Sequence, residues 1–348
     1  MSDRRHFLTR LDMRGGIVEM AHGAGGRAMT QLVEELFMRH FDDPLLRRGN
    51  DQAVFGPPAG RLAVSTDGHV ITPLFFPGGD IGALSVHGSV NDIAMGGARP
   101  LYMTAGFILE EGLPLADLER IVKSMAAAAR ECSIRIVTGD TKVVGRGQCD
   151  GVFITTTAIG EVPPGLDLSP AAIRPGDAIL ISGHVGDHGV AILSRRESLE
   201  FETEIRSDTM PLHDLVADMV RAVPQIRCMR DPTRGGVAAT LNEIAATAGV
   251  GMRLNEEAIP VRPQVRAACE LLGLDPLNVA NEGKLIAFCP PEEAERLLKV
   301  MRAHPKGRDA AIIGEVTEDD ARLVTMRTSF GGERVVDWLA AEQLPRIC

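Results

Sequence analysis

The chain has 348 residues, of which 45% are hydrophobic and 4% aromatic, and carries a formal net charge of -10. That length exceeds what one hydrophobic core ordinarily serves, so two domains are expected, and the acid excess without any basic block argues against a nucleic-acid partner. No apolar run approaches the ~18 residues a membrane helix needs, and six scattered cysteines without a C-x-x-C pair fit free thiols in a reducing cytoplasm.

Ser2-Asp3-Arg4-Arg5-His6-Phe7-Leu8 has the look of a twin-arginine export signal. The next residues, Thr9-Arg10-Leu11-Asp12-Met13-Arg14, are not the apolar region such a signal requires, so export is not expected and residues 1–15 read as an extension. Gly78-Gly79-Asp80-Ile81-Gly82 then has the form of a helix start with exposed N–H groups, leading into Ala83–Met95. Ala105–Leu109 reads as a strand, and Leu118, Ile121, Val122, Met125 and Ala129 predict a helix from about Pro114 to Glu131. Ile134–Val137 and Gly151–Thr157 are further strands, and Gly139-Asp140-Thr141-Lys142 directly follows the first, at the carboxyl end where α/β sheets place ligands.

A run of Pro and Gly from Val162-Pro163-Pro164-Gly165 to Pro175-Gly176 marks a linker at 163–176, between an N-terminal domain over 16–162 and a C-terminal domain over 177–334. In the second half, Ala178–Ile181 and Leu285–Phe288 read as strands, and helical patterns occur near 212–222, 235–248, 263–272 and 291–303. The alternation predicts an α/β layered fold. Residues 335–348 form a tail whose extended reach is on the order of 40 Å, with Trp338 packing at its base and Cys348 at its end.

No Walker A pattern and no clean G-x-G-x-x-G is present. Asp51, Asp67, Asp92 and Asp231 each stand in a turn or beside glycine, where a carboxylate can share a magnesium ion with phosphate oxygens or serve only a local hydrogen bond. Asp231-Pro232-Thr233-Arg234-Gly235-Gly236 leads into a helical pattern and suits phosphate. Asp140 with Lys142, and Glu282 with Lys284, are candidate acid and base pairs. His184 and His188 have metal-pair spacing but no third ligand nearby, so they read as loop or helix-start residues. Cys348 is either a reactive thiol on an arm or a packed small hydrophobe.

Taken in order, these segments resemble one family closely, the hydrogenase maturation factor HypE. The resemblance runs through His22-Gly23-Ala24-Gly25-Gly26, Phe76–Gly82, Gly88-Ser89-Val90-Asn91-Asp92-Ile93-Ala94-Met95, Gly139–Val144, Gly186-Asp187-His188-Gly189, Asp231–Gly236, Ala280-Asn281-Glu282-Gly283-Lys284 and Leu344-Pro345-Arg346-Ile347-Cys348. It departs at Asn50-Asp51-Gln52, where related sequences carry two adjacent aspartates. Members of this family are carbamoyl dehydratases in the superfamily of aminoimidazole ribonucleotide synthetase and selenophosphate synthetase. The resemblance implies a two-domain PurM-like fold, a homodimer through the N-terminal sheet, and ATP between the domains. It implies ATP-dependent dehydration of an S-carboxamide on Cys348 to a thiocyanate, which supplies cyanide to the iron of [NiFe]-hydrogenase. The partners implied are the carbamoyltransferase HypF and the HypC-HypD complex. Carried over residue by residue, Cys348, Lys142 and Glu282 are catalytic. Asp51, Asp67, Asn91, Asp92, Gly139, Asp140, Thr141, Asp231, Thr233, Arg234 and Gly235 contact ATP, and Asp51, Asp67, Asp92 and Asp231 hold Mg2+. A synthetase of the same fold would not need Cys348, and a mere carrier would not hydrolyse ATP.

Overall fold

The computed structural model describes Phe7, residues 9–50, 52–197 and 205–338, and Ile347. Asp51, Arg346 and Cys348 lie outside the described residues. The first half contains α1 (Arg27–Leu32), a π-helical turn and α2 (Met38–Phe41), then β1 (Arg61–His69), the small hairpin β2 (Phe75–Phe76) and β3 (Gly79–Asp80), α3 (Ile81–Met95), β4 (Arg99–Glu110), α4 (Leu115–Glu131), β5 (Arg135–Val144) and β6 (Val152–Val162). The second half contains β7 (Ala178–Ile181), α5 (Asp187–Arg196), α6 (His213–Ala222), β8 (Cys228–Arg230), α7 (Gly236–Ala248), β9 (Gly251–Asn255), α8 (Pro263–Leu272), β10 (Ile286–Cys289), α9 (Pro291–Ala303), β11 (Ala311–Thr317), β12 (Val324–Arg327) and β13 (Glu333–Val335).

The first sheet has the order β1-β6-β4-β5. Its β4–β5 pair is parallel because α4 crosses between them, whereas β1–β6 and β4–β6 are antiparallel. The apolar stripe of α4, with Leu118, Ile121, Val122 and Met125 fully buried, packs beside α3 on one face of this sheet. The opposite face is open: Leu62, Val64 and Ile108 are 53%, 63% and 40% exposed. The second sheet has the order β13-β12-β9-β11-β7-β10-β8, and β7 and β10 are buried along their whole length.

Three local expectations are corrected. Gly139, Asp140, Thr141 and Lys142 lie inside β5, with Gly139 opposite Ala105 and Lys142 opposite Ile108. The β-branched Thr141, Val143 and Val144 carry the pairing past a glycine that reads as a turn. Asp67 likewise sits within β1, paired with Thr156, because Gly68 stays in register rather than breaking the strand. Asp92 lies within the helix α3. At the tail's base, the anchor is Val336, which is buried and whose carbonyl accepts from Asn242 Nδ2 at 2.9 Å, while Trp338 is half exposed.

The segment before α6 ties the halves together. Asn91 of α3 accepts the Leu212 N–H at 2.8 Å and donates to the carbonyls of Met210 at 3.1 Å and Glu282 at 3.4 Å. Ser207 N–H reaches the Pro77 carbonyl at 2.8 Å, and His87 Nδ1 lies 3.2 Å from Thr209 Oγ1. Both amide protons of Asn91 are thus spent on backbone, so its side chain clamps the halves and has no donor left for a nucleotide. Asn91→Ala would strand the Leu212 N–H and the Met210 carbonyl, the Glu282 carbonyl keeping the Met210 N–H at 3.5 Å, and should lower the unfolding free energy by roughly 2–4 kcal/mol. Urea denaturation without nucleotide checks this, and an unchanged midpoint would return Asn91 to a ligand role.

Candidate functional site

Strand alternation aims Ser65, Asp67 and His69 of β1 inward while Leu62 and Val64 face out. One turn apart on α3, Gly88 and Asp92 meet them. Ser65 donates its hydroxyl to Asp92 Oδ2 at 2.6 Å, and Asp67 Oδ2 lies 3.2 Å from His69 Nε2. A Cβ on Gly88 would stand 2.9 Å from His69 Nε2 and 3.2 Å from Asp67 Oδ2, so only glycine lets strand and helix approach this closely. Asp231 arrives from the other half, at the end of β8, which packs on α3.

The charges report the convergence. The His69 hydrogen bond holds the Asp67 carboxyl below its usual range against the effect of burial. Burial raises Asp92, and the neighbouring Asp67 adds to that rise. Burial and then the charge of Asp92 push Asp231 up to about 7. Glu282 is raised well above its ordinary value, first by burial and then by Asp208, Asp231, Asp67 and Asp92. Its Oε1 is buried without a hydrogen-bond partner. Its backbone is fixed, with the N–H on Asp208 Oδ1 at 3.0 Å.

Of the residues expected at the site, Asp67, Asp92, Asp231 and Glu282 therefore come together. Thr233, Arg234 and Gly235 form the turn between β8 and α7, with Gly236 N–H on the Thr233 carbonyl at 2.9 Å, and the positive charge of Arg234 reaches Asp67. Lys142 does not join them in one protomer. It is exposed on the edge strand β5 and ion-paired with Asp140 at 2.8 Å, while Thr141 is buried beside it and gives its N–H to Asp140 Oδ1 at 2.9 Å. The glycine turn before α3 is also not an anion site. Asp80 caps that helix, taking the N–H groups of Gly82 and Ala83 at 2.8 and 3.0 Å. His184 pairs with Asp309 at 3.2 Å, and His188 lies in the first turn of α5.

Two residues escape sequence reasoning. Asp208 is buried against Lys284 at 2.9 Å, and burial would raise its carboxyl were it not held down by Lys284, by His188 and by the Glu282 N–H. It stands in no motif, and the polar run Ser207-Asp208-Thr209 is its only signal. His188 is fully buried although its ring is polar. Among the described residues, no three His, Cys, Asp or Glu side chains gather as a metal cage. Mutually repelling carboxylates, of which only Glu282 is buried and the aspartates are part-buried, fit magnesium held by one or two of them together with phosphate oxygens.

Residues 49–162 match the family model of the AIR synthase related protein, N-terminal domain, and residues 174–325 match that of the C-terminal domain. The carbamoyl dehydratase HypE of Azotobacter vinelandii is 67% identical over 341 residues, spanning 98% of this chain and 100% of its own. The chain belongs to the HypE family. A crystal structure of hydrogenase maturation protein HypE in complex with ATP aligns with a TM-score of 0.92 and 52% identity, over 95% of this chain and 99% of that one. A HypE-HypF complex contains a chain that aligns with a TM-score of 0.78 and 47% identity, over 88% of this chain and 99% of that one. No helix among the described residues is long and apolar enough to cross a membrane.

The raised Asp231 has a thermodynamic consequence. Its folded form binds a proton more tightly than the unfolded chain, so its contribution to stability is complete below the ordinary value of 3.8 and is lost as pH rises through about 7. Asp231→Asn lacks this loss. In the absence of divalent cations, the variant should gain roughly 1–3 kcal/mol over the parent between pH 5 and pH 8. Urea titrations at the two pH values measure it, and a constant difference would show that Asp231 titrates normally.

Proposed function

We propose that this protein dehydrates an S-carboxamide carried on its own Cys348 to a thiocyanate, using ATP, and so supplies the cyanide ligand for [NiFe]-hydrogenase iron. The observation that carries this reading is Ile347. One peptide bond from Cys348, it is 4% exposed, and its carbonyl accepts from His188 in the junction that also holds Glu282.

The Cys348 thiolate first takes a carbamoyl group from a carbamoyltransferase, HypF. Oxide does not leave at neutral pH, whereas phosphate does, so the amide oxygen takes the γ-phosphate of ATP. ADP departs and one N–H proton is lost. As the C–O bond to phosphate breaks, Glu282 takes the second N–H proton and S–C≡N remains. A carboxyl raised by its surroundings is a stronger base once ionised, which suits Glu282 to that step. Magnesium shared between phosphate oxygens and one or two at a time of Asp67, Asp92, Asp231 and Asp51 would neutralise phosphate charge. Thr233, Arg234 and Gly235 would orient the phosphates beside them. The HypC-HypD complex then accepts the cyanide.

Lys142 stabilises the developing negative charge in this scheme, yet within one protomer it contacts Asp140 at the sheet edge. A homodimer through the open face of Leu62, Val64 and Ile108 offers a route by which β5 of one copy serves the site of the other. Lys142→Ala and Glu282→Gln should each cut dehydration by at least about a hundredfold. An equimolar mixture of the two, in which half of the dimers are mixed, should recover activity toward a quarter of the parent value, because one of the two sites in each mixed dimer is intact. Inactive mixed dimers would confine both residues to one subunit.

The reaction itself is tested by the intact mass of the protein after incubation with carbamoyl phosphate, ATP and the carbamoyltransferase. The parent should gain a carbamoyl group that then loses one water only with hydrolysable ATP, and Cys348→Ala should gain nothing. An absent adduct on competent protein, with ATP still turned over, would favour a synthetase.

A further inference from the structure

His188 has a forced protonation pattern. The ring is buried among apolar groups, with the edge of Phe76 against it at a centroid separation of 5.7 Å. Its Nε2 lies 2.6 Å from the Ile347 carbonyl, and its Nδ1 lies 2.8 Å from Ser207 Oγ. A carbonyl only accepts, so Nε2 carries the proton. Burial lowers the imidazole below its ordinary value, so the ring is neutral and Nδ1 accepts from the Ser207 hydroxyl. Ser207 Oγ in turn accepts the Thr209 N–H at 3.1 Å. Every donor and acceptor in this chain has one assignment, and its last member is a carbonyl of the chain terminus. With the terminus withdrawn, the Nε2 proton would be left in a buried site without an acceptor.

The seat for Ile347 is shaped as well. Its side chain joins the buried cluster that includes Ile192 and Ala280. A Cβ on Gly189 would stand 2.4 Å from Val279 Cγ1 and 3.2 Å from Ile347 Cδ1, so the glycine next to His188 makes room first for Val279 and then for Ile347. Ser207, which fixes the imidazole tautomer, is followed by Asp208, which holds Lys284 at 2.9 Å and the Glu282 N–H at 3.0 Å. The support of the terminus and the support of the base are thus adjacent residues of one strut.

We propose that His188 is a positioning residue that latches the chain terminus by donating Nε2–H to the Ile347 carbonyl, with Ser207 fixing its tautomer, so that seating of the terminus and alignment of Glu282 are coupled. The inference rests on the thiocyanate reading only for its consequence in catalysis. The latch itself is a statement about geometry.

The test uses full-length protein in a Cys149→Ala background, since the other described cysteines are buried. It measures how fast Cys348 reacts with a bulky maleimide. Glutamine places its amide nitrogen where Nε2 stands, whereas asparagine places it near Nδ1 and stops short of Ile347. His188→Asn should raise the alkylation rate roughly tenfold, the effect of losing one buried hydrogen bond, while His188→Gln stays near the parent. Ile347→Ser, which removes the apolar side chain from the seat, should also expose the thiol. Single-turnover dehydration of carbamoylated protein should fall in His188→Asn by the same factor, and carbamoyl loading should not fall. Equal alkylation of the Asn and Gln variants, or no exposure in Ile347→Ser, would overturn the latch. If the alkylation pattern holds and no variant, parent included, dehydrates a carboxamide, the latch stands and the reaction assigned to it fails.

Discussion

The ion pair between Asp208 and Lys284 is the constraint on which the site depends. Both side chains are almost wholly buried, at 3% and 6% exposure, and they meet at 2.9 Å. Burying two charges gains little against a hydrophobic pair of similar size, so stability alone does not explain them. Their effect is positional and electrostatic. Asp208 uses one oxygen for Lys284 and the other for the Glu282 N–H, so the strut before α6 is locked to the loop that carries Glu282. Lys284 stands two residues from Glu282 but spends its charge on Asp208. Burial first, and then the charges of Asp208, Asp231, Asp67 and Asp92, raise the Glu282 carboxyl well above its ordinary value, and its Oε1 has no hydrogen bond.

The same logic explains why the two halves need the clamp. Asp67 and Asp92 come from the first and Asp231 from the second, so their electrostatics push the halves apart at the point where they meet. Neutral, directional contacts oppose this: Asn91 to the backbone of Met210, Leu212 and Glu282, and Ser207 to Pro77. A junction built this way stays assembled while its carboxylates remain unsatisfied, and it gains from any incoming cation. That arrangement suits a site completed by metal and phosphate better than one meant to be stable alone.

Much of this was legible in the sequence, for reasons that differ by residue. The apolar stripe of α4 gave its helix because a single buried face must repeat every 3.6 residues, and α6 to α9 followed the same rule. The strand reading of Ile134–Val137 stopped too early because glycine signals a turn locally, whereas Gly139 here continues a ladder held by β4. Glycine misled again beside Asp67. The acids themselves were legible as candidates, since Asp67, Asp92, Asp231 and Glu282 stand in recognisable motifs, yet their approach comes from packing between halves that no local pattern encodes. Asp208 and the partners of His188 were illegible because their roles exist only across long separations, 76 residues from Asp208 to Lys284 and 159 from His188 to Ile347.

A substrate carried on the chain's own terminus changes what the site has to supply. Tethering replaces affinity for a free molecule with a local concentration set by the length of the arm, so a modest seat suffices. The seat seen for Ile347 is of that size. One buried isoleucine contributes about 1.5–3 kcal/mol, and one hydrogen bond to a buried imidazole about 1 kcal/mol. Against them stands the conformational entropy of ordering the preceding segment, at about 1–2 kcal/mol for each residue fixed. Ordering only about two or three residues offsets what the seat contributes, so the seat holds the terminus weakly. In the reaction proposed above, the Cys348 thiol is loaded by HypF, processed on its own protein and unloaded onto HypC-HypD, and a weak seat suits that sequence. A tighter seat would slow loading and delivery, and a looser one would leave Glu282 without its substrate.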